Sequence, residues 1–439
     1  MDQIKKILPG FFFSFYHFVL SWLGAFWHGY PSRNLIVVGI TGTKGKTTTA
    51  HLLAKILEEA KFKTALISSL EFRIGEERWK NDFKMTMPGR FFIQKFLRRA
   101  KEQNCQYAVI ETTSQGILQS RHRFIDWDVA IFTNIAPEHI EAHGGFENYI
   151  ASKKKLFVLL SKTFRKREVP KVIIANLDDK YGGGFLEYKA DNKIGYGIMN
   201  NELGIKDSKF VKAENIELNK EGIKFELNGE NFSSSLLGKF NLYNILAAVS
   251  FGISQNIHLE EIKRAIGKFG GVEGRMEFVQ KEPFSVVVDY AHTPDSLKEV
   301  YQALKEQFLK SNGRLICVLG SAGGGRDKWK RPEMGKIAAE YCDEIILTDE
   351  DPYDENPASI LNDIEAGFSQ IRNPKSEIRN YSKILDRKEA IKKGIKSARQ
   401  GDVVIITGKG AESFIMSSRG QKIPHNDRET ARKILQDLN

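Results

Sequence analysis

Apolar positions along this chain fall into short unbroken runs, and most runs are followed by a stretch compatible with a helix. Residues 35–41, 63–68, 107–111, 129–133 and 171–175 read as strands buried on both faces, and residues 147–160 and 241–255 read as helices. This alternation predicts a doubly wound α/β domain built on a parallel sheet. Between about residues 210 and 237 the pattern changes to short alternating stretches broken by Asn-Lys-Glu-Gly and Asn-Gly, which predicts a small antiparallel addition. A second series of runs, at 284–289, 314–319, 344–348 and 402–407, predicts a C-terminal Rossmann-like α/β domain without a G-x-G-x-x-G dinucleotide fingerprint. The 439 residues, too many for one core, therefore divide into an N-terminal segment 1–34, a first α/β domain 35–271 and a second 272–439.

The N-terminal segment breaks the pattern. Between Lys6 and Arg33 there is no charged side chain, and Phe11, Phe12, Phe13, Phe15, Tyr16, Phe18, Trp22, Phe26 and Trp27 crowd together. Read as a helix starting near Pro9, its weakly polar residues Ser14, His17, Ser21, Gly24 and His28 fall on one stripe, with the rest of the surface apolar and aromatic. Three readings stay open for residues 9–30: a helix lying in a membrane interface, a transmembrane span, or a helix packed on protein.

Composition adds bounds. Hydrophobic residues make up 41%, enough for ordinary globular cores. The net charge of +11 suits a nucleotide, an anionic substrate or an anionic membrane surface, but Lys and Arg are scattered, which argues against nucleic acid. The runs at 153–155 and 165–167 read as solvated faces. Cys105, Cys317 and Cys342 match no metal spacing, so no chemistry is assigned to them and a cytoplasmic location is expected.

The densest chemistry lies where the first strand empties into a glycine-rich turn. Gly42, Thr43, Lys44, Gly45, Lys46, Thr47 and Thr48 form a phosphate cradle whose backbone N–H groups and following helix N-terminus favour anions. Lys46 would reach the β- and γ-phosphates of ATP, and the Thr47 hydroxyl would ligate Mg²⁺. The general Walker pattern wants glycine where this chain has Ile40. Glu111 ends another strand and can hold the metal or cap a helix. The loop after residue 133 offers Glu138, His139, Glu141 and His143.

These residues carry a resemblance. The cradle, Glu111 before Thr-Thr-Ser, Thr133-Asn134 with Glu138-His139, Asn244, Gly274-Arg275, Asp289-Tyr-Ala-His-Thr-Pro294, Arg326-Asp-Lys and Gly408-Lys-Gly-Ala-Glu412 resemble the ATP-dependent Mur ligases of peptidoglycan synthesis, of the type that adds the third residue of the stem peptide. The resemblance implies that residues 42–48 with Asn244, Arg275 and Asp289 hold ATP, and that Thr47, Glu111, His139 and Lys153 hold two Mg²⁺, Lys153 as a carbamate. It further implies that Thr86, Ser114, Gln119 and Arg121 hold a UDP-muramoyl-peptide-like carboxylate, and that Arg326, Asp351, Gly408 and Glu412 meet the incoming amino acid. Lys46, Glu111, His139 and Lys153 would be the catalytic set, and the product an amide formed through an acyl phosphate.

Two departures qualify the substrate. Where the family carries a domain gripping the UDP end, this chain has the aromatic segment, so a different and membrane-associated acceptor at the inner face is an alternative. Where diaminopimelate-adding members have Asp-Asn-Pro-Arg, this chain has Glu350, Asp351, Pro352 and Tyr353, which favours lysine or another diamine-type amino acid. Ala411 stands where histidine is common. The rival functions are a folylpolyglutamate-synthase-like ligase, a transport or signalling P-loop ATPase, and an ATP-binding membrane-associated scaffold without ligase activity.

Overall fold

The computed structural model describes residues 10–83, 85–138, 140–199, 208–309, 312–370 and 380–438, with side chains from residue 15 onward. Two sheets organise it. The first contains β1 (Ile36–Thr41), β2 (Thr64–Ile67), β3 (Glu71–Ile74), β4 (Glu77–Lys80), β5 (Tyr107–Glu111), β6 (Val129–Phe132), β7 (Val172–Asn176), β8 (Asn192–Gly197) and β9 (Ser208–Lys212). Their order is β4-β3-β2-β5-β1-β6-β7-β8-β9, parallel except for the β2-β3-β4 edge. β1 lies between β5 and β6, and Ile40 pairs with Glu111, so the glycine turn and the end of β5 emerge side by side at the carboxyl edge. That edge is where open α/β sheets bind ligands.

The antiparallel addition is smaller than the sequence suggests. Residues 208–212 continue the main sheet in parallel with β8, and the separate sheet comprises β10 (Glu214–Asn219), β11 (Gly222–Leu227) and β12 (Glu230–Ser234). The second large sheet contains β13 (Glu277–Gln280), β14 (Ser285–Asp289), β15 (Leu315–Leu319), β16 (Glu344–Leu347), β17 (Tyr381–Lys383) and β18 (Val403–Thr407), in the order β13-β14-β18-β15-β16-β17. Both sheets are covered on two faces by apolar clusters, which is why their strands read as unbroken hydrophobic runs.

Several charged residues are buried, among them Lys153 and Lys166, which the sequence reads as solvated. Lys153 is 1% exposed, and Lys166 and Lys171 both bond the fully buried Asp128. Arg331 is sealed in against Glu355 and Asp363. Cys317 and Cys342 are joined by a disulfide, contrary to the expectation that the cysteines have no chemistry. The helix Lys330–Tyr341 returns the chain so that Cys342 precedes β16, the partner of β15, and sequence separation hides this proximity.

The Arg387–Asp427 pair ties the last helix to the helix Arg387–Ser397 with two bonds of 2.8 Å, and Arg387 also donates to Thr407 O at the end of β18. Although burial opposes ionisation, Arg387 and His425 hold the Asp427 carboxyl well below the usual carboxylate range. A depressed carboxyl stabilises the fold above its unfolded pKa and loses that contribution as pH falls through the folded value. Asp427→Ala is expected to cost about 3–5 kcal/mol by stranding the guanidinium, as measured by urea unfolding at neutral pH.

The N-terminal segment forms α1 (Gly10–Trp27), followed in chain order by α2 (Lys46–Glu59) and α3 (Arg90–Glu102), on which α1 packs. Among the described residues no helix is long and apolar enough to cross a membrane. One face of α1 lies on the protein body. That face is the weakly polar stripe: Ser21 is buried, Gly24 rests on Phe91 and His17 bonds Arg90.

Candidate active site

A cleft of about 490 Å³ opens at the carboxyl edge of the first sheet and is walled on its far side by the second domain. Its floor is the glycine turn. Gly42 and Gly45 have φ of 154° and 81°, and a Cβ on either would overlap Thr133 or Asn244, so only glycine suits both positions. Thr133 and Asn134 clasp the turn from outside, through Thr133 Oγ1 to Lys44 O at 2.7 Å and Lys44 N to Asn134 Oδ1 at 2.9 Å.

Lys46 begins α2 and curls over the turn, donating to Gly42 O at 3.0 Å and Thr43 O at 2.8 Å. Lys153, on the helix Phe146–Leu160, donates to the same Gly42 carbonyl at 2.6 Å and lies 4.5 Å over the Tyr149 ring. Burial pushes both amines below their ordinary pKa, Lys153 far below, and their mutual repulsion adds to the Lys153 shift. Tyr149 in turn bonds Thr43 Oγ1 at 2.9 Å, which locks the lysine-bearing helix to the cradle.

Thr47 Oγ1 donates to Glu111 Oε2 at 3.2 Å, and the Ser69 amide donates to Glu111 Oε1 at 2.9 Å. Burial raises the Glu111 pKa against the pull of that amide and of Lys46 and Arg275. Among the described residues no cluster of three or more His, Cys, Asp or Glu side chains could hold a metal alone. A hydroxyl and a carboxylate oxygen instead suit a hard cation that takes its other ligands from phosphates and water. His139 lies outside the described residues. Its neighbour Glu138 lines the cleft and meets His292 of the second domain at 3.2 Å. His143 bonds Ser114 Oγ at 3.1 Å, a contact the sequence did not suggest.

The other expected residues divide. Thr48, Thr86, Ser114, Gln119, Arg121, Asn244, Arg275, Asp289 and Arg326 all line the same cleft. Asn244 lies against Gly45, directly beneath the cradle. Arg275 stacks 4.0 Å over Tyr290, and Asp289 accepts from the Met276 and Ala291 amides at 2.7 and 2.6 Å. Arg121 donates to Gln119 Oε1 at 2.6 Å, so those two present one joined group.

Asp351, Gly408 and Glu412 do not reach the cleft wall. They surround Lys409, which sequence reasoning passed over and which donates to Asp351 at 2.7 Å and Glu412 at 2.5 Å. Gly408, at φ 107°, makes room for Glu350, whose buried Oε2 has no hydrogen-bond partner. Burial opposes the Arg326 charge, and Tyr290, Tyr353 and Glu350 nearby outweigh it and raise the guanidinium pKa. Across the cleft, Lys44 of the cradle lies 3.4 Å from Glu299.

Comparison with known proteins agrees with this geometry. Residues 40–252 match the family described as Mur ligase middle domain, and residues 274–410 match the Mur ligase, glutamate ligase domain. The chain is 36% identical over 425 residues to the UDP-N-acetylmuramoyl-L-alanyl-D-glutamate–2,6-diaminopimelate ligase of Bacillus velezensis, covering 96% of this chain and 82% of that protein. It is 34% identical to the UDP-N-acetylmuramyl-tripeptide synthetase of Roseiflexus sp., covering 95% and 82%. A solved diaminopimelate ligase of the same name superposes with a TM-score of 0.61 at 28% identity, covering 92% of this chain and 79% of that one. A folylpolyglutamate synthase of Mycobacterium tuberculosis shares the fold, with a TM-score of 0.66 at 14% identity over 89% of this chain and 92% of that one. The chain belongs to the Mur ligase family of ATP-dependent, carbon–nitrogen bond-forming ligases.

Proposed function

We propose that this protein activates the carboxylate of a UDP-muramoyl-peptide-like acceptor with ATP and joins it to an amino acid in building the peptidoglycan stem peptide. The observation that carries the reading is the convergence of Lys46 and Lys153 on one carbonyl beside the Thr47–Glu111 pair, in a cleft walled by both domains. In this reading the cradle and Lys46 hold the ATP phosphates, with Asn244, Arg275 and Asp289 around the nucleotide. Mg²⁺ held by Thr47 and Glu111, with a second ion held by His139 and carbamylated Lys153, would neutralise phosphate charge.

Thr86, Ser114, Gln119 and Arg121 fix the acceptor carboxylate so that its oxygen faces the γ-phosphorus. The carboxylate oxygen attacks, ADP leaves, and an acyl phosphate results. Arg326 orients the amino acid, whose free amine then displaces phosphate to form the amide. No covalent nucleophile is needed from the protein; positioning and exclusion of water suffice, and the Lys44–Glu299 and Glu138–His292 contacts draw the two domains over the cleft. A ligase that consumes ATP in this way is expected to act in the cytoplasm.

ADP release tests the proposal against the scaffold alternative. Purified protein is expected to release ADP when given ATP, a UDP-muramoyl dipeptide and an amino acid together; ATP binding without amino-acid-dependent turnover contradicts it.

The amino-acid pocket supports a substrate with a distal ammonium. Tyr353 stands where the diaminopimelate-adding pattern carries the arginine that would pair with a distal carboxylate, and the acidic run Asp349, Glu350 and Asp351 lies beside it, with Lys409 bonded to Asp351 and Glu412. Lysine is therefore expected to surpass diaminopimelate by about tenfold in kcat/KM, and Tyr353→Arg to narrow or reverse that ratio. A preference of the wild-type protein for diaminopimelate contradicts the reading.

A further inference from the structure

Helix α1 is inside out for a water-soluble protein. Its weakly polar stripe is turned inward, with Ser21 Oγ donating to Ser120 O at 2.8 Å and Gly24 seated on the backbone of Phe91, while its aromatic side chains point to solvent. Trp27 is 76% exposed, Phe26 61%, Phe15 58% and Trp22 42%, and Phe91 of α3 extends the same surface at 43%. A contiguous apolar patch of this kind marks an interaction surface.

The rim identifies the partner. Arg98 and Lys95 lie close enough to His28 that, together with burial, they hold its imidazole below the ordinary value. Arg123 stacks 5.3 Å from Phe18, and Arg33 lies 4.6 Å from Tyr30. Two carboxylates stand among these cations, Asp126 beside Arg33 and Glu102 beside Arg98, so the rim is net positive. A second copy of the chain docking on the same face by two-fold symmetry would bring like-charged rims together. An apolar, Trp- and Phe-rich face with a basic rim instead matches an anionic lipid surface, where aromatic rings enter the headgroup boundary and cations meet phosphates.

We propose that the outward face of α1 docks on an anionic bilayer and so holds the acceptor side of the cleft at the membrane. The second half follows from the inward face. Ser21 holds Ser120, and Arg90 links His17 to Gln119 O with bonds of 3.1 and 2.8 Å to that carbonyl, so the element that meets lipid also supports the segment carrying Gln119 and Arg121. A carboxylate acceptor borne on a lipid would thereby reach the pocket from the bilayer. This consequence rests on the ligase reading; the docking itself does not.

The test is co-sedimentation of the full chain with vesicles of phosphatidylcholine alone or mixed with phosphatidylglycerol, alongside ADP release measured without vesicles. Binding at least tenfold stronger to the mixed vesicles is expected, lost by at least tenfold in the triple variant W22S/F26S/W27S and weakened in K95E/R98E, with ADP release in solution unchanged in all three proteins. Failure to bind phosphatidylglycerol vesicles, or equal binding by the triple variant, overturns the proposal. A dimer of the parent protein in light scattering that the triple variant abolishes, without vesicle binding, assigns the face to a second copy and also overturns it. Vesicle binding without any ADP release supports docking while removing the ligase reading.

Discussion

Lys46→Ala removes amino-acid-dependent ADP release, with kcat lowered by roughly 10³-fold or more, the scale seen when a positioned charge on the transition state is deleted. Lys46 is the first residue of α2, half-buried, its Nζ already directed over the turn by the Gly42 and Thr43 carbonyls. In the proposed reaction it would meet the phosphoryl group where charge builds as the γ-phosphorus passes from ADP to the acceptor oxygen. The loss falls on kcat more than on KM for ATP, because the backbone amides of the cradle remain to bind the α- and β-phosphates. The variant should still fold, since Lys46 takes no part in the apolar clusters, and an unchanged cooperative urea transition checks that. Lys46→Arg should not restore turnover: the wider guanidinium cannot sit between the two carbonyls that the ammonium bridges.

Lys153→Ala is the second large effect, a loss of roughly 10²–10³-fold in kcat, with partial recovery in millimolar acetate or propionate and none in chloride. A lysine held as a cation at this place would be poorly accommodated, because it is 1% exposed, beside Lys46, and bonded to a single carbonyl. Burial and the neighbouring Lys46 lower its pKa and so favour the neutral amine, the form that adds to carbon dioxide and loses a proton to give a carbamate. A carbamate here would place two oxygens sharing one negative charge beside Lys46, where they could serve a Mg²⁺ ion. A small carboxylate can occupy the space left by truncation and provide the same oxygens, so rescue separates this role from that of a packing residue. Lys46→Ala, lacking a cation, should not respond to carboxylates. Full activity of Lys153→Ala, or equal recovery in chloride, contradicts the carbamate.

The strands at the centre of both sheets were legible because burial on two faces fills their middles with apolar residues, as in β1 and β14. The β3–β4 hairpin was not, since Glu71-Phe-Arg-Ile and Glu77-Arg-Trp-Lys mix charges into four-residue strands at an exposed edge. The glycine turn announced itself through spacing alone. Glu111 did not: a carboxylate at a strand end fits a cap as well as a metal ligand, and the pairing of Ile40 with Glu111 is what brings it to Thr47.

Lys153 is indistinguishable by residue type from Lys154 and Lys155, and differs because the helix turns it inward under the cradle. Lys166 deceived in the same way, as a buried cation paired with Asp128, which is distant in sequence. For α1 the periodicity located two faces correctly but could not say which one the protein body covers. Lys409 stood inside a recognised motif, yet its role depends on Asp351, which only the fold brings to it.

The most direct measurement follows oxygen. When the acceptor carboxylate is labelled with ¹⁸O and turned over with ATP and lysine, acyl-phosphate chemistry predicts that each turnover moves one labelled oxygen from the carboxylate into inorganic phosphate and leaves the other in the amide carbonyl. Phosphate that carries no label while amide forms, or ADP release that needs no acceptor, contradicts activation of the acid by phosphorylation.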